Sequence, residues 1–277
     1  MDNPCRTGGT ARTGPGTYRR GVPPVDDPRT VAGWLAGAHA VTVLTGAGIS
    51  TDSGIPDFRG PQGVWTRSPG AQRAFDIRSY VADPEVRRRA WRTRTGHPAW
   101  SARPSAGHRA LVELERSGRL RALVTQNIDE LHQRAGSDPA LVLELHGTLF
   151  RAVCLSCADV TPMADALARV AAGEVDPDCL QCGGLLKSAT VSFGQSLDPD
   201  VLAAARDAAA ACELFVAVGS SLTVQPAAGL VRVADRAGAR VVIVNADPTP
   251  YDPLAAALLR EPIGDVLPAV VADLVAA

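Results

Sequence analysis

Ala40–Thr45 reads AVTVLT and runs directly into Gly46-Ala47-Gly48-Ile49-Ser50. A short run that is apolar on both alternations reads as a strand buried on both faces. The glycine turn at its carboxyl end lets main chain approach a phosphate, where a helix N-terminus adds N–H donors. Four similar runs lie downstream: Ala122–Gln126 (ALVTQ), Leu141–Leu145 (LVLEL), Leu214–Gly219 (LFVAVG) and Arg240–Asn245 (RVVIVN). Helical patterns separate them. Arg29–Ala38 forms a first helix; Ser105 caps a second through His108, Leu111, Leu114 and Glu115, stopping at Gly118; Asp198–Cys212 and Ala227–Ala237 follow. Strands alternating with helices predict an α/β fold, a Rossmann-like doubly wound parallel sheet.

The chain has 277 residues, 46% hydrophobic and 21% charged, enough to bury a sizeable core. Its net charge of −1 argues against coating nucleic acid or membrane. No apolar run approaches the ~18 residues of a membrane span, and no apolar signal core opens the chain, so a cytoplasmic location is expected. The single lysine, Lys187, among so many arginines and alanines reads as a coding bias.

Residues 1–28, rich in glycine and proline, read as a flexible tail. Two stretches interrupt the strand–helix alternation. Residues 61–103 lack a strand and carry nine arginines against three acids. Residues 148–190 hold two C-x-x-C pairs. Both read as insertions that together build a small domain, leaving 29–60, 104–147 and 191–277 for the Rossmann-like domain. The basic insertion is either a solvated surface or a steering patch for acidic partners or nucleic acid.

Gly46–Ser50 is a weak signal by itself, since the usual dinucleotide fingerprint has a third glycine where Thr51 stands. A simple hydride-transferring dehydrogenase is therefore disfavoured. More polar clusters follow, nearly all at strand carboxyl ends: the loop Gly54-Ile55-Pro56-Asp57-Phe58-Arg59-Gly60, then Thr125-Gln126-Asn127-Ile128-Asp129, His146-Gly147, Gly219-Ser220-Ser221-Leu222 and Asn245-Ala246-Asp247. Open α/β sheets bind ligands at such ends.

In this order, and with the two C-x-x-C pairs, the set resembles the sirtuin family of NAD-dependent protein deacylases over roughly residues 30–270. The resemblance implies NAD as a consumed co-substrate. Gly46, Ala47, Gly48, Ser50 and Arg59 would hold its pyrophosphate, with Asp57 and Trp65 of the adjoining loop also placed at the cofactor. Ile55 and Asp129 would line the nicotinamide pocket, and Phe58 would shield the ribose C1′. Gln126 and Asn127 would position that ribose and an ordered water. Gly219, Ser220, Ser221, Asn245 and Asp247 would hold the adenosine half, and Asp265 or Val266 would touch adenine through main-chain atoms. His146 would be the general base and Asn127 its catalytic partner. An imidazole suits that role because its ordinary pKa of ~6.5 lies near operating pH. The other histidines, His39, His97, His108 and His132, read as structural or surface residues, with slight suspicion of His132 for its nearness to Asp129.

Cys154-x-x-Cys157, 21 further residues and Cys179-x-x-Cys182 give two knuckles suited to one tetrahedral Zn²⁺. Neither pair has the strand–helix setting of a redox C-x-x-C. A closed four-sulfur site is structural rather than catalytic. Cys212 reads as a buried helix residue and Cys5 as a tail thiol.

Thr190–Gln195 resembles the family's substrate strand. Val191, Phe193 and Gly194 would pair with an acyl-lysine peptide by strand addition, and Gln195 stands where most members have glutamate. Trp91-Arg92-Thr93-Arg94 aligns with the Tyr-x-x-Arg of members that remove succinyl or malonyl groups. Arg94 is thus either an acyl-carboxylate contact or one more surface arginine. Gly60–Trp65 (GPQGVW) resembles slower-deacetylating members. Deacetylation is the main expectation. Desuccinylation or long-chain deacylation, ADP-ribosyl transfer to protein, NAD hydrolysis and a non-catalytic NAD sensor or zinc-knuckle nucleic-acid module are the alternatives. The expected partners are acyl-lysine proteins, with no requirement for nucleic acid, no membrane, and a monomeric state.

Overall fold

The computed structural model describes residues 24–60, 63–67 and 75–275. The parallel strands β1 (Val41–Thr45), β2 (Leu120–Thr125), β3 (Val142–Glu144), β7 (Leu214–Val218), β8 (Arg240–Val244) and β9 (Ala257–Leu259) form one sheet in the order β3-β2-β1-β7-β8-β9. Every residue of β1 and β7 is buried. Helices α1 (Pro28–Gly37), α5 (Ala106–Arg116) and α10 (Ile263–Val275) cover one face through Leu35, Leu111 and Val270. On the other face, α8 (Pro199–Ala210) and α9 (Gly229–Ala237) bring Ala205, Ala209 and Val231 against Leu44 and Phe215. Each fully buried Leu, Val or Phe contributes about 1.5–3 kcal/mol, so this two-sided burial holds the strand ends rigid.

The five expected strands are all present. The sixth, β9, is an addition to the sequence reading. It pairs with β8 on one side and is bridged by Val25 on the other, with Val25 N donating to Ala256 O at 2.9 Å. Ser105 caps α5 as expected, in a capping box with His108. The tail expected over 1–28 lies outside the described residues up to 23. Asp27 caps α1 by accepting from the main-chain N–H groups of Arg29 and Thr30.

A second sheet, antiparallel, contains β4 (Gly147–Cys154), β5 (Val160–Pro162) and β6 (Leu186–Thr190) in the order β5-β4-β6. The cysteine spacing gives no hint of these strands. The other insertion folds as α2 (Val64–Arg67), α3 (Ile77–Ala82) and α4 (Pro84–Thr95). Trp91 of α4 is fully buried against a cluster containing Ala152, Cys154, Leu186 and Met163, the last from α7 (Met163–Ala171). Among the described residues no helix is long and apolar enough to cross a membrane.

Candidate active site

The sheet order places β1 beside β2 on one side and β7 on the other. The chain therefore reverses its direction of travel between β1 and β7, and ligands bind open α/β sheets at such a reversal. The glycine turns that follow these two strands meet there. Gly46 N donates to Val218 O and Gly48 N to Gly219 O, both at 2.9 Å. A Cβ on Gly46 would sit 2.7 Å from Gly219 O, and one on Gly48 2.8 Å from Gly219 Cα. Gly219 adopts a φ of +62° with its own Cβ position 2.6 Å from Ile49 N. Main chain thus packs on main chain, and Ala47–Ser53 leaves the junction as a 3-10 turn.

Next to this junction lies a buried polar cluster. Ser50 Oγ donates to Asp129 Oδ2 at 2.7 Å, and Asn127 Nδ2 donates to Ser50 Oγ at 3.2 Å and Gly46 O at 3.1 Å. Asp129 Oδ1 accepts from Leu131 N at the start of α6 (Leu131–Ala135). Burial raises the Asp129 pKa, while the bonds from Leu131 N and Ser50 oppose that shift. Ser50, expected at the pyrophosphate, is thus committed to Asp129 and Asn127. Gln126 Nε2 donates to Ser220 Oγ at 2.9 Å and ties the β2 end to the β7 turn.

His146 stands where β3 passes into β4. Its Nδ1 is 2.9 Å from Gln126 O. A carbonyl only accepts, so Nδ1 carries the proton and Nε2 carries the lone pair. Burial lowers the His146 pKa and the Gln126 bond partly offsets it, so the ring is neutral at pH 7.

Loop 54–60 closes on itself, with Gly60 N donating to Asp57 Oδ1 at 2.9 Å and Val64 N to Asp57 O. Ile55 is buried with Leu131 and Leu149. Phe58 is 38% exposed and meets Phe75 edge-on. Burial lowers the Arg59 pKa, so the guanidinium is partly desolvated. Trp65 lies in α2, and its side chain falls outside the described residues. Beyond β8, Asn245 Nδ2 donates to Asp247 O, and Arg260 Nη1 donates to the carbonyls of both residues. Ser221 Oγ lies 3.0 Å from Thr223 Oγ1. Asp265 is exposed at the start of α10, whereas the Val266 side chain is buried in the core.

Cys154, Cys157, Cys179 and Cys182 have sulfurs all within 4.8 Å of one another, with pairs at 3.6 and 3.7 Å. A tetrahedral ion with Zn–S bonds of ~2.3 Å needs sulfur separations of about 3.8 Å, so the four thiols fit Zn²⁺. The main-chain N–H groups of Ser156 and Cys157 point at Cys154 Sγ and favour a thiolate there.

The expected substrate strand stops at Thr190, where β6 ends. Val191 N turns to donate to His146 O, and Gly194 with a φ of +83° closes a turn in which Gln195 N donates to Ser192 O. Phe193 bridges to the helical insertion, its N–H to Phe75 O and its carbonyl from Ile77 N. Arg94 Nη2 donates to Ser188 Oγ at 3.0 Å, and burial lowers its pKa. Buried residues read from the sequence only as helix or strand positions complete the site: Thr45 and Thr125 beneath Asn127, with Ser105 bonded to Ile49 O and His108 bonded to Ser105. Thr125 stood in the Thr125–Asp129 cluster and Ser105 as a helix cap, and His132 drew slight notice for its nearness to Asp129.

The comparisons with known proteins converge on this geometry. The Sir2 family model matches residues 46–226. NAD-dependent protein deacetylase 2 of Streptomyces coelicolor is 55% identical over 240 residues, covering 87% of this chain and all of that protein. NAD-dependent protein deacylase 2 of Pyrobaculum aerophilum is 41% identical, covering 88% and 94%. A solved Sir2 enzyme superposes with a TM-score of 0.81 at 39% identity, covering 90% of this chain and 98% of that one. A solved Sir2 complex with a p53 peptide and NAD⁺ gives 0.79 at 35% identity, covering 89% and 98%. The family match begins at the glycine turn after β1 and runs past the second glycine turn and both cysteine knuckles, so this chain belongs to the Sir2 family.

Proposed function

We propose that the chain is an NAD-dependent protein-lysine deacylase, with acetyl-lysine as its main substrate. The observation that carries this is His146, whose Nδ1 lies 2.9 Å from Gln126 O and leaves the lone pair on Nε2, set beside a buried Ser50–Asn127–Asp129 cluster at the reversal point of the sheet.

NAD supplies an ADP-ribosyl group whose bond to nicotinamide breaks in the reaction. The protein's part is to hold, orient and deprotonate. Asp129 and Ile55 would line the nicotinamide end, one polar and one apolar. Asn127, with Nδ2 committed to Gly46 and Ser50, offers Oδ1 to a hydroxyl or a water. His146 Nε2 accepts a proton while Gln126 O stabilises the charged ring through Nδ1–H, a role worth about 10²–10⁴ in rate. The contact of Gly46 and Gly48 with the Gly219 turn gives a main-chain cradle for the pyrophosphate, with Arg59 nearby and Ser220, Ser221, Asn245, Asp247 and Asp265 toward adenosine. The four cysteines would hold one structural Zn²⁺ with no open coordination position.

The acyl-lysine peptide adds along Val191–Gly194, beside His146. Phe193 already pairs with Phe75 and Ile77, so the incoming strand bonds to neighbouring main-chain groups. A single chain contains every group named here, which supports action as a monomer.

The test is mass spectrometry of the protein with NAD and acetyl-, succinyl- and long-chain acyl-lysine peptides. Free lysine, nicotinamide and acylated ADP-ribose in equal amounts are expected, with the acetyl peptide fastest. Nicotinamide release without deacylation would overturn the reading in favour of ADP-ribosyl transfer or NAD hydrolysis.

A further inference from the structure

His108 and His132 are both fully buried, 0% and 1% exposed. Their rings lie 4.8 Å apart between centroids, tilted by 55°. His108 is the third residue of α5 and His132 the second of α6, so the two short helices meet through imidazoles. Each ring makes hydrogen bonds on one nitrogen only. His108 Nε2 and His132 Nδ1 are buried without a partner. Two buried nitrogens without a partner, on adjacent rings, are more than the packing of α5 on α6 requires.

The neighbours fix both tautomers. Ser105 N donates to His108 Nδ1 at 3.1 Å, with the Ser105 hydroxyl 2.8 Å from the same nitrogen. A ring nitrogen that receives a main-chain N–H carries the lone pair, so the His108 proton is on Nε2. On the other ring, Nε2 is 2.9 Å from Thr45 Oγ1. The single Thr45 proton is already given to Thr125 Oγ1 at 2.8 Å. Thr45 Oγ1 therefore accepts from His132 Nε2–H, and His132 Nδ1 carries the lone pair. The two orphans are thus a donor, His108 Nε2–H, and an acceptor, His132 Nδ1, on rings in contact, and their pairing is the link inferred below. Thr125 Oγ1 in turn accepts from Asn127 N at 3.0 Å.

We propose that His108 and His132 are positioning residues: a histidine pair of fixed tautomer that runs hydrogen bonds from the cap of α5 through Thr45 and Thr125 to the main chain of Asn127, setting the Asn127–Asp129 turn for NAD. The other end of the chain reaches the glycine turn through the Ser105 hydroxyl, whose one proton is shared between His108 Nδ1 at 2.8 Å and Ile49 O at 3.1 Å. The pair thereby ties together the two segments that contact NAD in the deacylase reading, on which this proposal rests. Burial keeps both rings neutral, as the arrangement requires.

Nitrogen NMR of the uniformly ¹⁵N-labelled protein reads the tautomers without reference to activity; His108→Gln and His132→Gln assign the signals. Both rings are expected as Nε2–H, and an Nδ1–H form of either overturns the proposal. Calorimetry then measures NAD binding. Thr45→Val, which keeps shape and removes the link, should weaken NAD about five- to tenfold while the KM for acyl peptide stays within about twofold, on the scale of one buried hydrogen bond. His132→Phe should do the same, and the double variant should be no worse than either single one. His132→Gln, which supplies an N–H and a carbonyl in place of the two ring nitrogens, should restore binding. Unchanged NAD affinity in Thr45→Val, or additive effects in the double variant, would refute the coupling. A wild type that binds NAD but deacylates nothing would refute the deacylase reading alone, since the tautomers and affinity ratios would still decide this proposal.

Discussion

Gly219→Ala tests whether the contact between the two glycine turns is what builds the NAD site. The added Cβ would meet Ile49 N at 2.6 Å and Gly48 C at 2.8 Å, both main-chain atoms that cannot swing aside. Ordinary contact for carbon lies near 3.5 Å, so the β1 and β7 turns must part by about 0.7–0.9 Å. The Gly48 N–H···O Gly219 bond, now 2.9 Å, would then stretch past hydrogen-bonding range, a loss of about 1 kcal/mol. An alanine at a φ of +62° adds roughly 1–2 kcal/mol of backbone strain. Together these give about 2–3 kcal/mol, or a fall in Tm of roughly 4–12 °C for a chain of this size. Gly54→Ala is the matched control. Its φ is +82°, yet nothing lies within 4 Å of the Cβ position, so it carries the backbone term alone. Thermal denaturation and NAD titration of both variants separate the terms. Gly54→Ala should lose stability modestly and bind NAD like wild type. Gly219→Ala should lose more stability and bind NAD at least about tenfold more weakly. Equal melting of the two variants, or unaltered NAD affinity in Gly219→Ala, would mean that turn contact does not shape the site.

His146→Ala should lower turnover by about 10²–10⁴ with Tm unchanged, as measured by peptide mass spectrometry and calorimetry. In wild type, the acid limb of kcat/KM should fall below the ordinary histidine pKa of ~6.5, because burial lowers that of His146; a midpoint above 6.5 would remove the case for this base. Cys179→Ala should abolish the single bound zinc found by elemental analysis and unfold the antiparallel sheet; full zinc occupancy would contradict the four-cysteine site. Stability to urea should decline as pH falls below about 6.5. The unfolded state takes up protons there that His108, held at about 4, and His132, held by burial well below the ordinary histidine value, refuse when folded, and the pair gives a slope of about 2 kcal/mol per pH unit. A flat profile between pH 6.5 and 5 would show that the rings charge in place. Arg94→Met should depress desuccinylation selectively if its guanidinium reads an acyl carboxylate; equal loss on acetyl and succinyl peptides would assign it to the structural bond with Ser188.

The parallel sheet was legible because β1, β2, β7 and β8 are nearly continuous apolar runs, a pattern that two-sided burial imposes. β9 was not, since Ala257–Leu259 has three residues and follows an alanine run that reads as helix. The strands β4, β5 and β6 escaped for another reason. Gly147–Cys154 mixes buried and exposed positions without clean alternation, and while β5 follows it closely, its other partner, β6, lies more than thirty residues on. The site was legible where its chemistry sits in short motifs: His146-Gly147, Gln126–Asp129 and the four cysteines. What stayed hidden is the layer beneath them. Thr45 and Thr125 look like ordinary β-formers, and His108 like part of an amphipathic helix; only the fold shows that their polar atoms form one hydrogen-bonded path.

The antiparallel sheet explains why an ion that takes no part in the chemistry belongs to this site. β4 begins at Gly147, the residue after His146, and ends at Cys154; β6 covers the same two ends in four residues, so the knuckle lies about 13 Å along the strands from the proposed base. Charges at that separation are largely screened in water and salt. The link is mechanical. β6 leaves the second knuckle at Leu186, opposite Cys154, and returns to Thr190, opposite Gly147. One residue later Val191 N donates to His146 O at 2.8 Å. Metal fastens the far end of the β4–β6 pair, and the near end fixes the main chain of the base together with the loop that would receive the peptide. Zinc loss should therefore loosen His146 from the peptide side while leaving the glycine turns in the parallel sheet intact. A zinc-depleted protein should keep its NAD affinity and lose its acyl-peptide affinity, and the reverse order of loss would break this account.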